Sequence, residues 1–154
     1  MKFKVLFVIL VLLNLNFISI SYSSSGKNIF LSLRNETVNL RQGPSFDYPI
    51  KLVYKKKFLP VLLIDKSDAW RKVKDIENNV GWIHVSQLSK KKTAVVIKDN
   101  IFLNSKPTIY SEPKAILKKG RLVFIKKCKV SWCKISTGGF NGWIPENALW
   151  GKIN

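Results

Sequence analysis

A short cassette that occurs twice constrains the fold of this chain more than any other feature. Its first copy, Trp70 to Leu88, reads W-R-K-V-K-D-I-E-N-N-V-G-W-I-H-V-S-Q-L. The second copy, Trp132 to Leu149, keeps the leading tryptophan, the Gly-Trp-Ile triplet and a leucine five residues after the isoleucine. Each copy has the pattern of a β-hairpin: a tryptophan-led strand, a polar turn and a second strand. We expect the cassette to be the closing half of a repeated β domain.

The repeat extends upstream of the cassette. Pro44 aligns with Pro107 at an offset of 63 residues, whereas the leading tryptophans lie 62 apart and the Gly-Trp-Ile triplets 61 apart. Two single-residue deletions, each in a turn, explain this drift, because loops tolerate length changes. Short alternating apolar runs are separated by turn residues, and no helical period is sustained. The chain is therefore predicted to be all-β, with two tandem small barrels.

Individual strands can be assigned from these alternating runs. Lys55 to Lys57 and Asp65 to Asp68 are polar and are expected to be turns. The predicted strands are Phe30–Arg34, Thr37–Arg41, Ile50–Tyr54 and Phe58–Ile64 in the first repeat, with Ala94–Ile97 opening the second.

The first 23 residues have the layout of a secretory signal peptide. Lys2 and Lys4 precede an unbroken apolar run, Val5 to Leu13, and small residues follow, so cleavage is expected after Ser21 or Ser23. The run is shorter than the ~20 residues that a spanning helix needs, which argues against a membrane anchor. We expect an exported protein, periplasmic or secreted, with no stable membrane span after cleavage.

The charge is strongly positive, with 27 basic and nine acidic residues and a formal net charge of +18. Such a charge favours attraction to anionic surfaces without specifying one. Only four of the basic residues are arginine, the residue that usually makes bidentate phosphate contacts. The lysine bias makes nucleic-acid binding the alternative function rather than the first.

Three motifs of the first repeat carry a resemblance to a known family. They are V-N-L-R-Q-G-P-S at Val38 to Ser45, W-R-K-V at Trp70 to Val73, and G-W-I-x4-L at Gly81 to Leu88. With these motifs the chain resembles the bacterial SH3-like (SH3b) domain family over nearly all of the sequence after residue 30. The resemblance implies five-stranded, partly open β-barrels that bind peptides or cell-wall material.

The second repeat departs from the family pattern at its opening, which reads I-F-L-N-S-K-P-T. Asn104 and Lys106 stand where Arg41 and Gly43 stand in the first repeat, while the tryptophan strand and Gly-Trp-Ile are kept. The predicted organisation is a signal peptide at 1–23, one SH3-like domain at 28–90 and a second at 91–154.

Catalytic and metal chemistry have little support in the sequence. His84 is the only histidine, and its counterpart in the second repeat is Pro145. A cysteine hydrolase would pair His84 with one of the two cysteines, but nothing local supports that pairing. One histidine, two cysteines and scattered carboxylates do not form a metal site. We predict a non-enzymatic protein with no catalytic residues, metal or cofactor.

The two cysteines are predicted to form a disulfide. Cys128 and Cys133 are an even pair in a chain predicted to be exported. They flank a four-residue turn, Lys129 to Trp132, which would place them opposite one another across a hairpin. The first repeat has Lys66 and Arg71 at these positions, so the bridge would be an addition to the second domain.

The tryptophans are the best indication of a binding surface. Residues three apart in a strand face opposite ways, so Trp70 and Val73 cannot both point at one core. If the aliphatic residues fill each barrel, some indoles lie on an outer face, where SH3-like barrels take extended or glycan-bearing ligands. Alternatively, the indoles join the two domains or cap the barrels. The candidate ligand-binding residues are Tyr48, Trp70, Trp82, Tyr110, Trp132 and Trp143.

The function expected from these observations is ligand recognition at the cell envelope. The ligand would be a peptide, a peptidoglycan-related molecule or an envelope protein. The alternatives are a basic small-barrel nucleic-acid-binding protein and, less favoured, a cysteine hydrolase.

Overall fold

The structure, a computed structural model, describes residues 28–151. The predicted signal peptide at residues 1–23 lies outside this range. The described chain forms two antiparallel sheets of seven strands each, one from each repeat. An all-β fold of two tandem SH3-like barrels is therefore confirmed.

The first sheet has the strand order β3-β2-β6-β5-β4-β1-β7. A 3₁₀ turn at Val85–Gln87 separates the last two strands. The strands are β1 (Phe30–Leu33), β2 (Val38–Arg41), β3 (Ile50–Tyr54), β4 (Pro60–Ser67), β5 (Trp70–Lys74), β6 (Val80–His84) and β7 (Leu88–Ser89).

The second sheet repeats this order as β10-β9-β13-β12-β11-β8-β14. A 3₁₀ turn at Glu146–Ala148 stands at the position equivalent to that of the first repeat. The strands are β8 (Thr93–Val96), β9 (Ile101–Asn104), β10 (Pro113–Leu117), β11 (Leu122–Lys129), β12 (Trp132–Thr137), β13 (Phe140–Pro145) and β14 (Leu149–Trp150).

The strand count and several strand boundaries differ from expectation, most of them by one residue and those of β4 by more. Each sheet has seven strands rather than five, because an N-terminal strand (β1 or β8) pairs with a two-residue closing strand. The strand predicted over Phe58–Ile64 instead begins at Pro60, since Phe58 has a positive φ of 64° that strands do not adopt. The turn predicted at Asp65 to Asp68 is wrong for its first three residues, because the strand continues to Ser67 and the chain turns at Asp68, which has a positive φ of 45°.

Each barrel has its own apolar core, and the cassette supplies the equivalent residues to both. Val73, Ile83 and Leu88 belong to the first core. Ile135, Ile144 and Leu149 belong to the second. The conserved spacing of the two cassettes therefore reflects their shared contribution to barrel packing.

The glycine of each Gly-Trp-Ile triplet is required by a close approach between strands. A Cβ on Gly81 would lie 2.7 Å from the carbonyl oxygen of Arg41, and one on Gly142 would lie 2.7 Å from that of Asn104. These oxygens belong to β2 and β9, which pair with β6 and β13 of the cassette. Glycine lets each barrel close at this point.

Aromatic rings join the two barrels. Phe58 and Phe124 meet edge to face with ring centroids 5.4 Å apart, and Phe30 and Trp150 do so at 5.1 Å. The Thr93 hydroxyl also donates a 2.8 Å hydrogen bond to the carbonyl oxygen of Phe58. These contacts fix Phe58 between the two sheets, which agrees with its exclusion from β4.

The predicted disulfide between Cys128 and Cys133 is confirmed. The two residues are directly opposite in the β11–β12 ladder, and Lys66 and Arg71 are the corresponding pair in the first barrel. The turn is tighter than predicted, because Lys129 pairs with Trp132 and leaves only two residues between the strands. Both of these residues, Val130 and Ser131, have positive φ values, the conformation of a two-residue hairpin turn.

A candidate ligand-binding face on the first barrel

Strand register sorts the cassette residues of the first barrel onto two faces. Trp70 is opposite His84 and Lys72 is opposite Trp82, so these four side chains share one face. Val73 lies between them in sequence and belongs to the core. The opposite orientations of Trp70 and Val73 agree with the strand-parity argument, and the face carrying Trp70 is the outer one.

The indole of Trp70 is nonetheless 7% exposed, because two other rings cover it. Phe46 meets it edge to face with ring centroids 4.9 Å apart, and His84 does so at 5.3 Å. Phe46 and His84 also contact one another at 5.3 Å. Trp70 is thus the floor of an aromatic cluster, and Phe46, which is 63% exposed, is its solvent-facing member.

Arg41 holds the loop that carries Phe46. Its Nη1 donates to the carbonyl oxygens of Phe46 and Tyr48 at 3.0 and 2.7 Å. The guanidinium carbon also lies 5.7 Å from the centroid of the Phe46 ring. Because Arg41 is opposite Trp82 in the β2–β6 ladder, the cation lies on the same outer face as the aromatic cluster.

Gly43 explains the position of Tyr48 in the same loop. Three ring carbons of Tyr48 lie 2.6 Å from the place that a Cβ on Gly43 would occupy. The ring therefore rests on bare backbone, while the side chain as a whole stays 48% exposed. Both Arg41 and Gly43 of the family motif thus hold the β2–β3 loop in place. Arg41 binds the backbone of the loop, and Gly43 leaves room for the ring of Tyr48.

His84 is anchored locally. The backbone N–H of Ser86 donates to Nδ1 of His84 at 3.3 Å, and the Ser86 hydroxyl lies 2.8 Å from the same nitrogen. This arrangement caps the 3₁₀ turn that follows β6. The imidazole is thereby oriented for its contacts with Trp70 and Phe46.

The second barrel keeps the tryptophans and loses their surroundings. Trp132 is opposite Pro145, and Trp143 is opposite Lys134 and beside Asn104. Relative to the first barrel, proline replaces the histidine and asparagine replaces the arginine. At the offset of the repeat, Ile109 stands in place of Phe46. An aromatic and cationic cluster of this kind is therefore confined to the first barrel.

The six predicted binding residues fall into separate groups. Trp70, Trp82 and Tyr48 belong to the first barrel's outer face and its loop. Trp143 is half-buried with the Lys127 ammonium 5.8 Å from its ring centroid, and Tyr110 is 92% exposed in the β9–β10 loop. Trp132 lines a cleft of about 670 Å³ that also includes Phe30 of the first barrel and Trp150. Trp70 and Trp82 thus lie on an outer face of a barrel, whereas Trp132 lies in a cleft between the two barrels.

Sequence reasoning did not single out Arg41, Phe46 or His84 as members of this face. Arg41 was available as part of the family motif, and the register of β2 with β6 places it. Phe46 lies in an irregular loop, where periodicity gives no orientation. His84 follows the Gly-Trp-Ile triplet. Its cross-strand pairing with Trp70 follows from the length of the β5–β6 turn, which sets the register of the two strands.

A buried polar pair organises that β5–β6 turn. The Asp75 carboxylate accepts hydrogen bonds from the Tyr54 hydroxyl at 3.0 Å, from the Asn79 side chain at 2.9 Å and from the backbone N–H groups of Glu77 and Asn79. Burial, together with the negative charge of Asp75, raises the pKa of Tyr54 well above its usual value. The phenol is a structural donor to the turn.

Within residues 28–151 no three His, Cys, Asp or Glu side chains cluster as a metal site would require. No helix in this part of the chain is long and apolar enough to cross a bilayer.

Sheet topology and register together define a protein of two small SH3-like β-barrels in tandem. The chain belongs to the bacterial SH3 domain family, whose model matches residues 34–90 and again 98–151. The family suggests a binding module. The family and the disulfide together are compatible with an exported protein.

Two solved structures are similar to this chain over most of its length. They are described as the structures of NlpC2 and NlpC1 from Trichomonas vaginalis, with 16% and 17% sequence identity and TM-scores of 0.38 and 0.37. The similarity covers 81% and 84% of this chain but 48% of each of those structures. The chain thus spans about half the length of the structures it matches. No curated protein sequence matches it.

Proposed function

We propose that the protein is an exported, non-enzymatic binding module whose first barrel recognises an extended peptide or a peptidoglycan-related ligand. The observation that carries the proposal is the shared outer face of Arg41, Phe46 and Trp82. Phe46 offers exposed ring surface, Trp82 is half-buried on the same face of the sheet opposite Arg41, and Arg41 supplies a fixed positive charge.

This combination suits an extended ligand with an anionic group. Aromatic surfaces on small barrels bind peptide or glycan segments by stacking, at low entropic cost because the rings are already held. Aromatic residues and arginine are also the types that dominate binding energy at interfaces. The contact of Phe46 with Trp70 and the hydrogen bonds of Arg41 to the loop supply this preorganisation.

The non-enzymatic part of the proposal rests on the state of the cysteines. A cysteine hydrolase needs a free thiolate near a histidine. Cys128 and Cys133 are bonded to one another, and His84 is held by Ser86. Hydrolysis of peptidoglycan fragments by the purified protein, abolished by alkylation after reduction or by His84→Ala, would favour the hydrolase instead.

Co-sedimentation with purified peptidoglycan, together with titration of soluble muropeptides and proline-rich peptides, tests the binding proposal. Phe46→Ala and Trp82→Ala are expected to weaken binding about tenfold or more, as removal of central aromatic contacts usually does. The matched controls are Ile109→Ala and Trp143→Ala in the second barrel, which should leave binding within about twofold. If no ligand binds, or if both pairs of variants weaken binding equally, the proposal is wrong.

Export is tested separately by cell fractionation and N-terminal sequencing of the recovered protein. Cleavage after Ser21 or Ser23 would support the predicted signal peptide. Retention in the cytoplasm, with salt-sensitive binding to RNA or DNA, would favour the nucleic-acid alternative.

A further inference from the structure

A strongly basic cleft lies at the junction of the two barrels. Its volume is about 680 Å³, and it is bounded by the β10–β11 turn, the β12–β13 turn and the β3–β4 turn. Four cationic side chains line it: Lys56, Lys118, Lys119 and Arg121. The described residues that line it include no aspartate or glutamate. Such a concentration of one sign of charge raises the local concentration of anions.

The cations converge because the repeat brings equivalent turns together. At the repeat offset of 63, Lys55-Lys56 corresponds to Lys118-Lys119. Packing of Phe58 against Phe124 joins the turn of the first barrel to the second barrel, and Phe124 itself lines the cleft. The Lys91 ammonium lies 4.8 Å from the centroid of Phe58 and 5.5 Å from that of Phe124, which adds a cation at the same junction.

Arg121 is held in place before any ligand arrives. Its Nε donates to the Thr137 hydroxyl at 2.8 Å, and that hydroxyl donates to the carbonyl oxygen of Leu122 at 3.0 Å. The guanidinium packs over Gly138, where a side chain would collide with it. A planar cation fixed in this way loses little entropy when it contacts phosphate, and only one of its five N–H donors is used by Thr137.

One carboxylate lies close to the cleft without lining it. Asp99 accepts a 3.2 Å hydrogen bond from the backbone N–H of Lys119. It steadies the turn that carries Lys118 and Lys119. The charge that faces the cleft is therefore positive.

We propose that this cleft binds a linear phosphodiester polymer through its charge, without reading bases. Lysine and arginine are the usual partners of phosphate groups. Base recognition would need open aromatic platforms, whereas the one aromatic lining residue, Phe124, is half-buried and packed against Phe58. The site is separate from the outer face of the first barrel and does not depend on the function proposed for that face.

The binding probe is a short abasic oligodeoxynucleotide, compared with the same oligonucleotide carrying bases and with a polyglutamate of equal charge. If each of the four cations that line the cleft neutralises one phosphate, a plot of log association constant against log salt concentration should have a slope of about −3. Binding of the abasic and base-bearing probes should be equal within about threefold, and polyglutamate should bind more weakly.

The decisive variant is Lys118→Gln/Lys119→Gln/Arg121→Gln, and its matched control is Lys106→Gln/Lys114→Gln/Lys129→Gln. Each variant removes three positive charges, and all three control residues are exposed and lie outside the cleft lining. The cleft variant should reduce the magnitude of the salt slope by about 2, whereas the control should leave it nearly unchanged. Lys56→Glu tests the contribution of the first barrel without altering the second, and thermal unfolding verifies that each variant folds.

Three outcomes would overturn the proposal. Equal losses in the cleft and control variants would mean that net charge alone attracts the polymer. Tighter binding of the base-bearing probe by more than about tenfold would indicate recognition of nucleic-acid bases. Failure of the unmodified protein to bind the abasic probe in low salt would show that the cleft holds no such polymer. Phe46→Ala should bind the probe normally, which separates this test from that of the aromatic face.

Discussion

Phe46 and Trp70 meet edge to face with ring centroids 4.9 Å apart, and this contact makes one ring the cover of the other. The loop residue is mostly exposed, while the strand residue is almost completely buried. The outer face of the first barrel therefore has an inner ring that is buried and an outer ring that is exposed to solvent. These two roles can be separated by mutation.

Trp70→Ala is expected to lower the free energy of unfolding by about 3 kcal/mol, since it removes a large buried ring. Phe46→Ala should cost about 1 kcal/mol or less, because most of its surface is already in water and mainly a ring–ring contact is lost. Urea unfolding of the two variants measures both values. A larger loss for Phe46→Ala than for Trp70→Ala would contradict this division of roles.

The sequence was sufficient to predict the parts of the fold that follow from periodicity. The spacing of the cassette predicts that Trp70 and Val73 face opposite ways, and Val73 indeed belongs to the first core while Trp70 lies on the outer face. The pair Cys128 and Cys133 follows from hairpin geometry in the same manner.

What the sequence did not predict depends on contacts between segments far apart in the chain. The apolar run from Phe58 predicts that this residue begins a strand. Its position is instead set by the contact with Phe124 of the second barrel, which the local sequence does not reveal. The cover of Trp70 by Phe46 depends on a loop whose path Arg41 fixes through backbone hydrogen bonds. The basic cleft arises only when Lys56 of one repeat lies near Lys118 of the other.

Gly81→Ala and Gly142→Ala should each destabilise the protein by about 2 kcal/mol, because the added methyl group collides with a backbone carbonyl that cannot move independently. Gly43→Ala provides the matched control. Its methyl group would meet the exposed ring of Tyr48, which can rotate away, so a cost of about 1 kcal/mol or less is expected. Chemical denaturation of the three variants makes the comparison, and equal losses at Gly43 and Gly81 would refute the close-approach explanation.

Reduction of the Cys128–Cys133 bond should lower the free energy of unfolding by about 2 kcal/mol, the chain-entropy value for so short a loop. The measurement is urea unfolding with and without dithiothreitol. The double variant Cys128→Ala/Cys133→Ala should unfold identically in both conditions. A wild-type protein indifferent to dithiothreitol would show that the bond does not stabilise the second barrel.

Stability should decline at high pH because of Tyr54. Burial first, and the Asp75 carboxylate second, raise the pKa of its phenol above the value in the unfolded chain, which is about 10. The folded state therefore holds the proton more tightly than the unfolded state, so this contribution is complete below about pH 10 and is lost as the pH rises from there through the folded pKa.

Tyr54→Phe isolates this effect from the titration of the lysines. Below about pH 9 the variant should be less stable than the wild type by about 2 kcal/mol, because a hydrogen bond to a carboxylate is lost. Above about pH 10 the two stabilities should converge, since only the wild type loses the contribution of the phenol. Unfolding by guanidinium chloride at a series of pH values measures the difference, and a gap that stays constant or widens above pH 10 would show that Tyr54 does not control the alkaline loss.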